Sequence, residues 1–272
     1  MRVREAIAEA AVRLEEIPGV PRLDAELLMA AALGVAHGAM MLNHLDDSAP
    51  AAFEALVQRR LTREPMGYVI GTVGFWTIDI AVGPGALIPR ADSESLIEAA
   101  AAHFAGESPF RILDLGTGPG TLLLAALAQW PEASGVGADA SEDALSQARA
   151  NAERLGLAAR AEFRSGNWTD GIGERFDLVL CNPPYVEDRA ALIPDVTAWE
   201  PPIALFGGED GLDHYRTLAP VLGAVMAPGG VACIEIGARQ GDRIRPLFAA
   251  RGFTIESRKD LNGVERCLVV TA

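Results

Sequence analysis

Val3, Ile7, Leu14 and Ile17 fall on one helical face by their spacing, and the run PGVP at 18–21 breaks that pattern. A second helix is expected to begin near Asp24, acting as its N-cap, and to end near Gly34. A further helix follows Ser48, with Phe53, Leu56, Val57 and Leu61 on one face. Residues 1–65 therefore read as an all-helical domain. From GYVIGTVGFWTIDIAVGPGALIPR the signal changes to β-branched and aromatic residues punctuated by glycine, so residues 66–90 are expected to form a β-hairpin linker.

Residues 91–272 read as one further domain. After a helix in ADSESLIEAAAAHF, strand and helix patterns alternate: RILDLG, TLLLAALAQW, GVGADA, SEDALSQARANAERLG, RAEFRSG and FDLVLC. A helix near 211–226, the strand GVACIEIG and a helix through Leu247 and Phe248 follow, and then the strands FTIESRKD and ERCLVVTA. Such alternation implies an α/β fold whose mostly parallel sheet is covered on both faces. Only the short turn LNG separates the last two strands. That length permits a hairpin and excludes a crossover helix, so the sheet should finish on an antiparallel pair.

The balance of 23 basic against 37 acidic residues gives a formal charge of −14. A surface of that sign repels phosphate backbones, and no direct nucleic-acid partner is expected. The basic run QRRLTRE at 58–64 reads as a solvated helix face. No signal-peptide pattern opens the chain, and no stretch approaches the ~18 apolar residues needed to span a bilayer. Cys181, Cys233 and Cys267 lie in strand-like runs without CxxC spacing, which fits buried free thiols in a reducing compartment. A cytoplasmic protein with no membrane partner is expected. His37, His44, His103 and His214 show no metal-ligand spacing, so no metal is expected and packing or surface roles are assigned to them.

The loop DLGTGPGT at 114–121 stands where the first strand of the alternation turns into a helix, the place where open α/β sheets bind ligands. It lacks the Lys-Ser or Lys-Thr pair of a P-loop, and Leu123 stands where a dinucleotide fingerprint needs a small residue. A GxGxG loop preceded by an acid suits a cofactor without pyrophosphate, and the helix amino terminus favours a carboxylate such as that of methionine. Asp139 ends the next strand, where a carboxylate accepts ribose hydroxyls; an N-cap role shared with Ser141 is the alternative. Asn167 and Trp168, in SGNW, belong to the same rim and suit an adenine; for Trp168 the alternative is ordinary packing under a loop.

The strand FDLVLC delivers Asn182, Pro183, Pro184 and Tyr185 to that rim. Proline cannot donate to a ladder, so the pair ends the strand and fixes the chain path while leaving carbonyl oxygens free. The alternative is a loop that simply opens after a strand. The Asn182 carboxamide offers a donor and an acceptor, complementary to a target with an NH2 beside a carbonyl or ring nitrogen, and Tyr185 is expected to lie against that flat target. Acceptors at the Asn182 side chain and the Pro183 carbonyl hold the NH2 hydrogens more tightly as the nitrogen becomes positive. This arrangement suits alkylation of a weakly nucleophilic planar nitrogen.

With these motifs, and with EPMGYVIGTVGFW, LIPRADSE at 87–94, WEPPIALFGGEDGLDHYR at 199–216 and IEIGARQG at 234–241, nearly the whole chain resembles the PrmC/HemK family of class I S-adenosylmethionine methyltransferases. Those enzymes methylate the glutamine of the Gly-Gly-Gln motif in class 1 peptide chain release factors. The resemblance implies a Rossmann-like seven-stranded sheet, mostly parallel with an antiparallel end strand, preceded by a small helical domain that helps recognise the release factor. It implies S-adenosylmethionine as cofactor and S-adenosylhomocysteine as product; a monomer is expected. Asp114, Gly116, Thr117, Gly118, Pro119, Gly120, Asp139, Asn167, Trp168 and Asn182 are then expected to contact the cofactor. Asn182, Pro183, Pro184 and Tyr185 are expected to hold the glutamine, with Asn182, Pro183 and Tyr185 as the catalytic set. Ala91 and Ser93 replace the family's usual Pro and Thr, and Asn167 a common acid; serine keeps the hydroxyl. An adenine-N6 methyltransferase of DNA or RNA, a glutamine methyltransferase of a ribosomal protein and a noncatalytic adaptor that binds the cofactor are the competing readings. The first would require a basic track and a flipped base.

Overall fold

The computed structural model describes residues 1–260 and 262–272. Its chain divides into two compact units, Met1–Thr72 with Leu192–Trp199, and Val73–Ala191 with Glu200–Ala272.

In the first unit α1 (Val3–Arg13), α2 (Pro21–Leu33), α3 (His37–Asn43), α4 (Ala52–Leu61) and α5 (Met66–Ile70) surround a core of Val3, Ile7, Leu14, Leu28, Met29, Met40, Phe53 and Val57. Gly34 ends α2 in the left-handed conformation at φ 69°, as the sequence predicts. The start of α2 differs: Pro21 opens it, because a proline loses nothing in a first turn whose N–H groups lack intrahelical partners. Asp24 is instead a buried residue inside the helix. It receives Arg60, and so the solvated reading of QRRLTRE is corrected. Arg60 is only 4% exposed and donates to Asp24 Oδ2 at 3.2 Å, Asp195 Oδ2 at 2.9 Å, and the carbonyls of Pro18 and Glu64. Arg59 likewise binds Glu64 and the carbonyls of Tyr68 and Val69. The run therefore ties the unit together, including the short helix α9 (Pro194–Thr197) that carries Asp195.

The hairpin expected over 66–90 is shorter, because Met66–Ile70 forms α5. It consists of β1 (Thr72–Phe75), whose first residue closes the first unit, and β2 (Ile78–Ala81), and in the second unit a 3-10 turn at Ala91–Ser93 and α6 (Glu94–Phe104) follow. Then come β3 (Arg111–Leu115), α7 (Thr121–Gln129), β4 (Ser134–Asp139), α8 (Glu142–Arg154), β5 (Ala161–Ser165) and β6 (Phe176–Cys181). The remainder is α10 (Asp213–Leu218), α11 (Leu222–Val225), β7 (Met226–Glu235), α12 (Gly241–Ala249), β8 (Thr254–Lys259) and β9 (Glu265–Thr271). Where one helix was expected near 211–226 there are two short ones, and β7 already begins at Met226.

The seven strands lie in the order β5-β4-β3-β6-β7-β9-β8. The first five are parallel, whereas β9 is antiparallel to both β7 and β8. The hairpin turn between β8 and β9 is organised by Asp260, whose carboxylate accepts the amides of Asn262 and Val264; Leu261 of the expected LNG turn lies outside the described residues. Val179, Ala232, Ile234 and Leu268 on the strands pack with Tyr215, Leu218, Ile244 and Phe248 on the helices. Chain order reverses between β3 and β6, so a crevice opens at their carboxyl ends.

Helix α7 is apolar on every side, and Leu122–Leu127 are all buried. It packs on β3 and β4, and α6 and β2 cover its other faces, which explains why an apolar helix lies beside a hairpin. Contact with the sheet is close at Gly135 of β4. A Cβ there would stand 2.9 Å from the Ile112 carbonyl oxygen and 2.5 Å from Leu123 Cδ1. Gly135→Ala is expected to destabilise the protein by about 1–3 kcal/mol through overpacking, read from the urea midpoint at unchanged slope. A midpoint equal to wild type would show that α7 can shift to make room.

Candidate active site

The crevice is built from the carboxyl ends of four neighbouring strands, β5, β4, β3 and β6. After β3 the backbone passes through Gly116 at φ 71°, Gly118 at 55° and Gly120 at 87°, conformations that side chains rarely adopt. The Ala138 carbonyl accepts the amides of Gly116 and Thr117, and Asp139 Oδ2 accepts that of Gly118 at 2.8 Å. Asp139 Oδ1 takes the Ser141 amide, and Ser141 Oγ caps α8 through Ala144. Ser141 is the N-cap of α8, and Asp139 braces both the loop and the approach to that helix while lining a cavity. Asn151 of α8 holds the loop from the other side, donating to the Pro119 carbonyl and pairing with both backbone groups of Ala81 in β2.

Two cavities meet here. The larger, of about 160 Å³, is bordered by Gly116, Gly118, Asp139, Asn167, Trp168, Asn182 and Pro184, and closed by Leu87, Ile203 and His214. The smaller, about 50 Å³, is bordered by Arg90, Ser93, Thr117, Pro119, Thr121 and Asn182. Gly116, Gly118, Leu87 and Asn182 line both. Trp168 takes φ 50° and packs against the His214 ring at 5.2 Å, so that histidine is a cavity wall. The expectation of a mere packing or surface role missed it because the contact spans distant segments.

Several expected contacts stand elsewhere. Asp114 borders neither cavity; it is fully buried behind the loop, where Oδ2 accepts the Thr117 hydroxyl at 2.6 Å and the Leu123 amide at 3.1 Å. Burial pushes its carboxyl up to about 7. Its Oδ1 has no hydrogen-bond partner among the described residues. Gly120 likewise borders neither cavity and serves as the N-cap of α7. Pro183 is buried below the rim. Tyr185, expected against the flat target, turns its hydroxyl to Glu235 Oε1 at 3.2 Å and borders neither cavity. Burial first, and next the Glu235 charge, push its phenol well up.

The Asn-Pro-Pro-Tyr segment is clamped from below. Val186 pairs with the chain at Leu205 and Gly207, and Gln240 donates to the Tyr185 carbonyl. Gly211 packs so closely that a Cβ would stand 2.4 Å from the Tyr185 carbonyl oxygen, which accounts for a glycine in GGEDG. Asn182 Nδ2 donates to Ser93 Oγ at 3.0 Å, and Ser93 Oγ meets Glu235 Oε2 at 2.5 Å. Sequence reasoning assigned no role to Glu235. Its only signal was an acid inside the apolar strand VACIEIG. Cys181 is inert, since burial raises its thiol well above the usual range.

Comparison with known proteins agrees with this geometry. Residues 107–234 match a methyltransferase domain family and residues 5–71 the PrmC N-terminal domain family. The release factor glutamine methyltransferase of Rhodospirillum rubrum is 45% identical, over 92% of this chain and 78% of its own. That of Caulobacter vibrioides is 40% identical, over 92% and 89%. A ribosomal protein L11 methylase from Lactobacillus delbrueckii subsp. bulgaricus shares the fold at TM-score 0.51 and 18% identity, covering 67% of this chain and 79% of that one. By the near-complete span of its relatives and the methyltransferase architecture of its sheet, the chain belongs to the release factor glutamine methyltransferase family.

Proposed function

We propose that this protein transfers the methyl group of S-adenosylmethionine to the side-chain amide nitrogen of the glutamine in the Gly-Gly-Gln motif of class 1 release factors, leaving S-adenosylhomocysteine. The observation that carries this reading is Asn182, which borders both cavities with one end of its carboxamide tied down to Ser93. The larger cavity fits the cofactor: positive-φ glycines leave its floor open, the Asp139 carboxylate keeps lone pairs for ribose hydroxyls, and Trp168 and Asn167 stand where an adenine would lie. Thr121, in the first turn of α7, borders the smaller cavity, where the helix amino end favours a carboxylate.

The cofactor supplies an electrophilic methyl group. Asn182 Oδ1 would accept a hydrogen of the glutamine NH2 and orient the nitrogen toward that methyl group. As the nitrogen takes up the methyl group it would turn cationic, and this acceptor would bind its hydrogen more strongly. The surplus proton leaves to water once the methyl is attached. Tyr185 holds the floor beneath Asn182, and Asp114 holds the loop; both act through neighbours. The acidic charge disfavours nucleic acid as the substrate.

The test uses the full chain with labelled S-adenosylmethionine and either a class 1 release factor or DNA. Peptide mass analysis is expected to place the label on the glutamine of Gly-Gly-Gln, and a release factor with that glutamine changed to alanine is expected to take none. Label on adenine alone would overturn the reading.

A further inference from the structure

Beneath Asn182 lies a buried chain of hydroxyl and carboxyl groups with a definite polarity. Glu235 ends β7 and is fully buried. Its Oε2 meets Ser93 Oγ and its Oε1 accepts the Tyr185 hydroxyl. An ionised carboxylate only accepts hydrogen bonds, so Ser93 commits its single hydrogen to Glu235. Ser93 Oγ can then offer Asn182 only a lone pair, and that lone pair takes an Nδ2 hydrogen. The amide end of Asn182 is thereby held down, and its oxygen is left for the substrate. Without this constraint the carboxamide can turn over and present NH2 to NH2, a repulsive arrangement.

Resting on the function proposed above, we propose that Glu235 and Ser93 are positioning residues that fix which end of the Asn182 carboxamide faces the substrate glutamine. The polarity survives only while Glu235 is ionised. A protonated Glu235 donates to Ser93 and frees the serine hydroxyl to donate to Asn182 Oδ1, which reverses the chain. Burial pushes the Glu235 carboxyl up to about 7, against the opposing pull of Ser93, Tyr185 and Arg266, with Asp92 adding to the rise. The groups that face it are Asp92 and Ser93 from the 3-10 turn, Cys181 from β6, Tyr185 after β6, Arg266 and Cys267 from β9, and Tyr215 from α10. Arg266 is itself paired with Asp92 at 2.8 Å, and the Tyr215 hydroxyl donates to the Glu235 backbone carbonyl at 2.9 Å. The cysteines and tyrosines are held protonated by burial or neighbouring charge, leaving Glu235 as the member of this hydrogen-bonded series that titrates near neutrality; Asp114, also pushed up to about 7, lies behind the glycine loop and bonds Thr117 and Leu123 instead. Turnover should therefore rise with pH through about 7 and level off above it.

Single-turnover rates and KM for S-adenosylmethionine are measured from pH 5.5 to 9 for the wild type, Ser93→Ala, Ser93→Thr, Glu235→Gln and the Ser93→Ala/Glu235→Gln double variant. Ser93→Ala and Glu235→Gln are each expected to lower kcat about tenfold, the scale of one misdirected hydrogen bond, with KM for the cofactor within about twofold. Ser93→Thr, which keeps the hydroxyl, should retain the wild-type rate. The double variant should be no slower than Ser93→Ala, since Glu235 acts through the serine. Both Ala and Gln variants should lose the acid limb. In 15N spectra the Asn182 side-chain NH2 resonance should shift with pH near 7 in wild type and stay still in Glu235→Gln, a readout that needs no release factor. An unmoved resonance, wild-type kcat in Ser93→Ala, or additive losses in the double variant would overturn the assignment. If Glu235→Gln fails to fold, the two serine variants still decide. A wild type that leaves the release factor unlabelled while the resonance shifts as described would instead overturn the function and, with it, the role in substrate presentation.

Discussion

Asn182→Ala is expected to lower kcat by about 10²- to 10³-fold, the magnitude found when a preorganised hydrogen-bonding group that meets developing charge is removed. The loss concentrates in kcat because the Asn182 acceptor gains strength only as the nitrogen becomes cationic. The cavity that would hold the cofactor keeps Asp139, Trp168 and the glycine loop, so the Kd for S-adenosylmethionine should change by less than about threefold. Titration calorimetry with the cofactor and single-turnover kinetics with the release factor separate the two quantities. A variant that turns over at the native rate would show that another group positions the amide. Asn182→Asp is a sharper version: it sets a second acid beside Ser93, which has one hydrogen to give and already gives it to Glu235.

Arg60→Met is expected to destabilise the protein by about 3–5 kcal/mol, the cost of removing one partner from a buried ionic cluster. Methionine fills much of the space, but Asp24 and Asp195, each under a tenth exposed, would lose their shared cation. The Pro18 carbonyl would also lose its donor. Arg63 reaches Asp195 as well, at 3.4 Å and with its side chain 41% exposed. Arg63→Ala should cost less than about 1 kcal/mol, as exposed ion pairs do. Urea unfolding of both variants beside wild type makes the comparison. Equal midpoints for the two would mean that the buried cluster relaxes with water.

The strand ends that form the crevice were legible because each is announced locally. Apolar runs of strand length end in DLGTG, GADA, SGNW and NPPY, and the parallel alternation sends those ends to one rim. The antiparallel pair followed from a turn too short for a helix. What escaped was set by partners far along the chain. Arg60 looked solvated because Asp24 and Asp195 are not its neighbours in sequence. Helix α3 escaped because its seven residues bury only Met40, too little for a periodic signal. Ser93 stood out only as keeping the hydroxyl of the family's usual threonine and Glu235 had no role, because only the fold brings the two together under Asn182. Tyr185 was placed on the substrate by its position in the motif. Its hydroxyl donates to the buried Glu235 carboxylate, a partner fifty residues away that the motif does not announce.

The segment Leu192–Trp199 belongs to the first unit although most of the second unit precedes it in the chain. Ribosomal synthesis delivers residues in order, so the helical unit leaves the exit tunnel lacking Asp195, with the Arg60 guanidinium still one counter-ion short. Its maturation waits on translation of the strands in between, and a fragment cut at residue 72 would remain permanently at that unfinished stage.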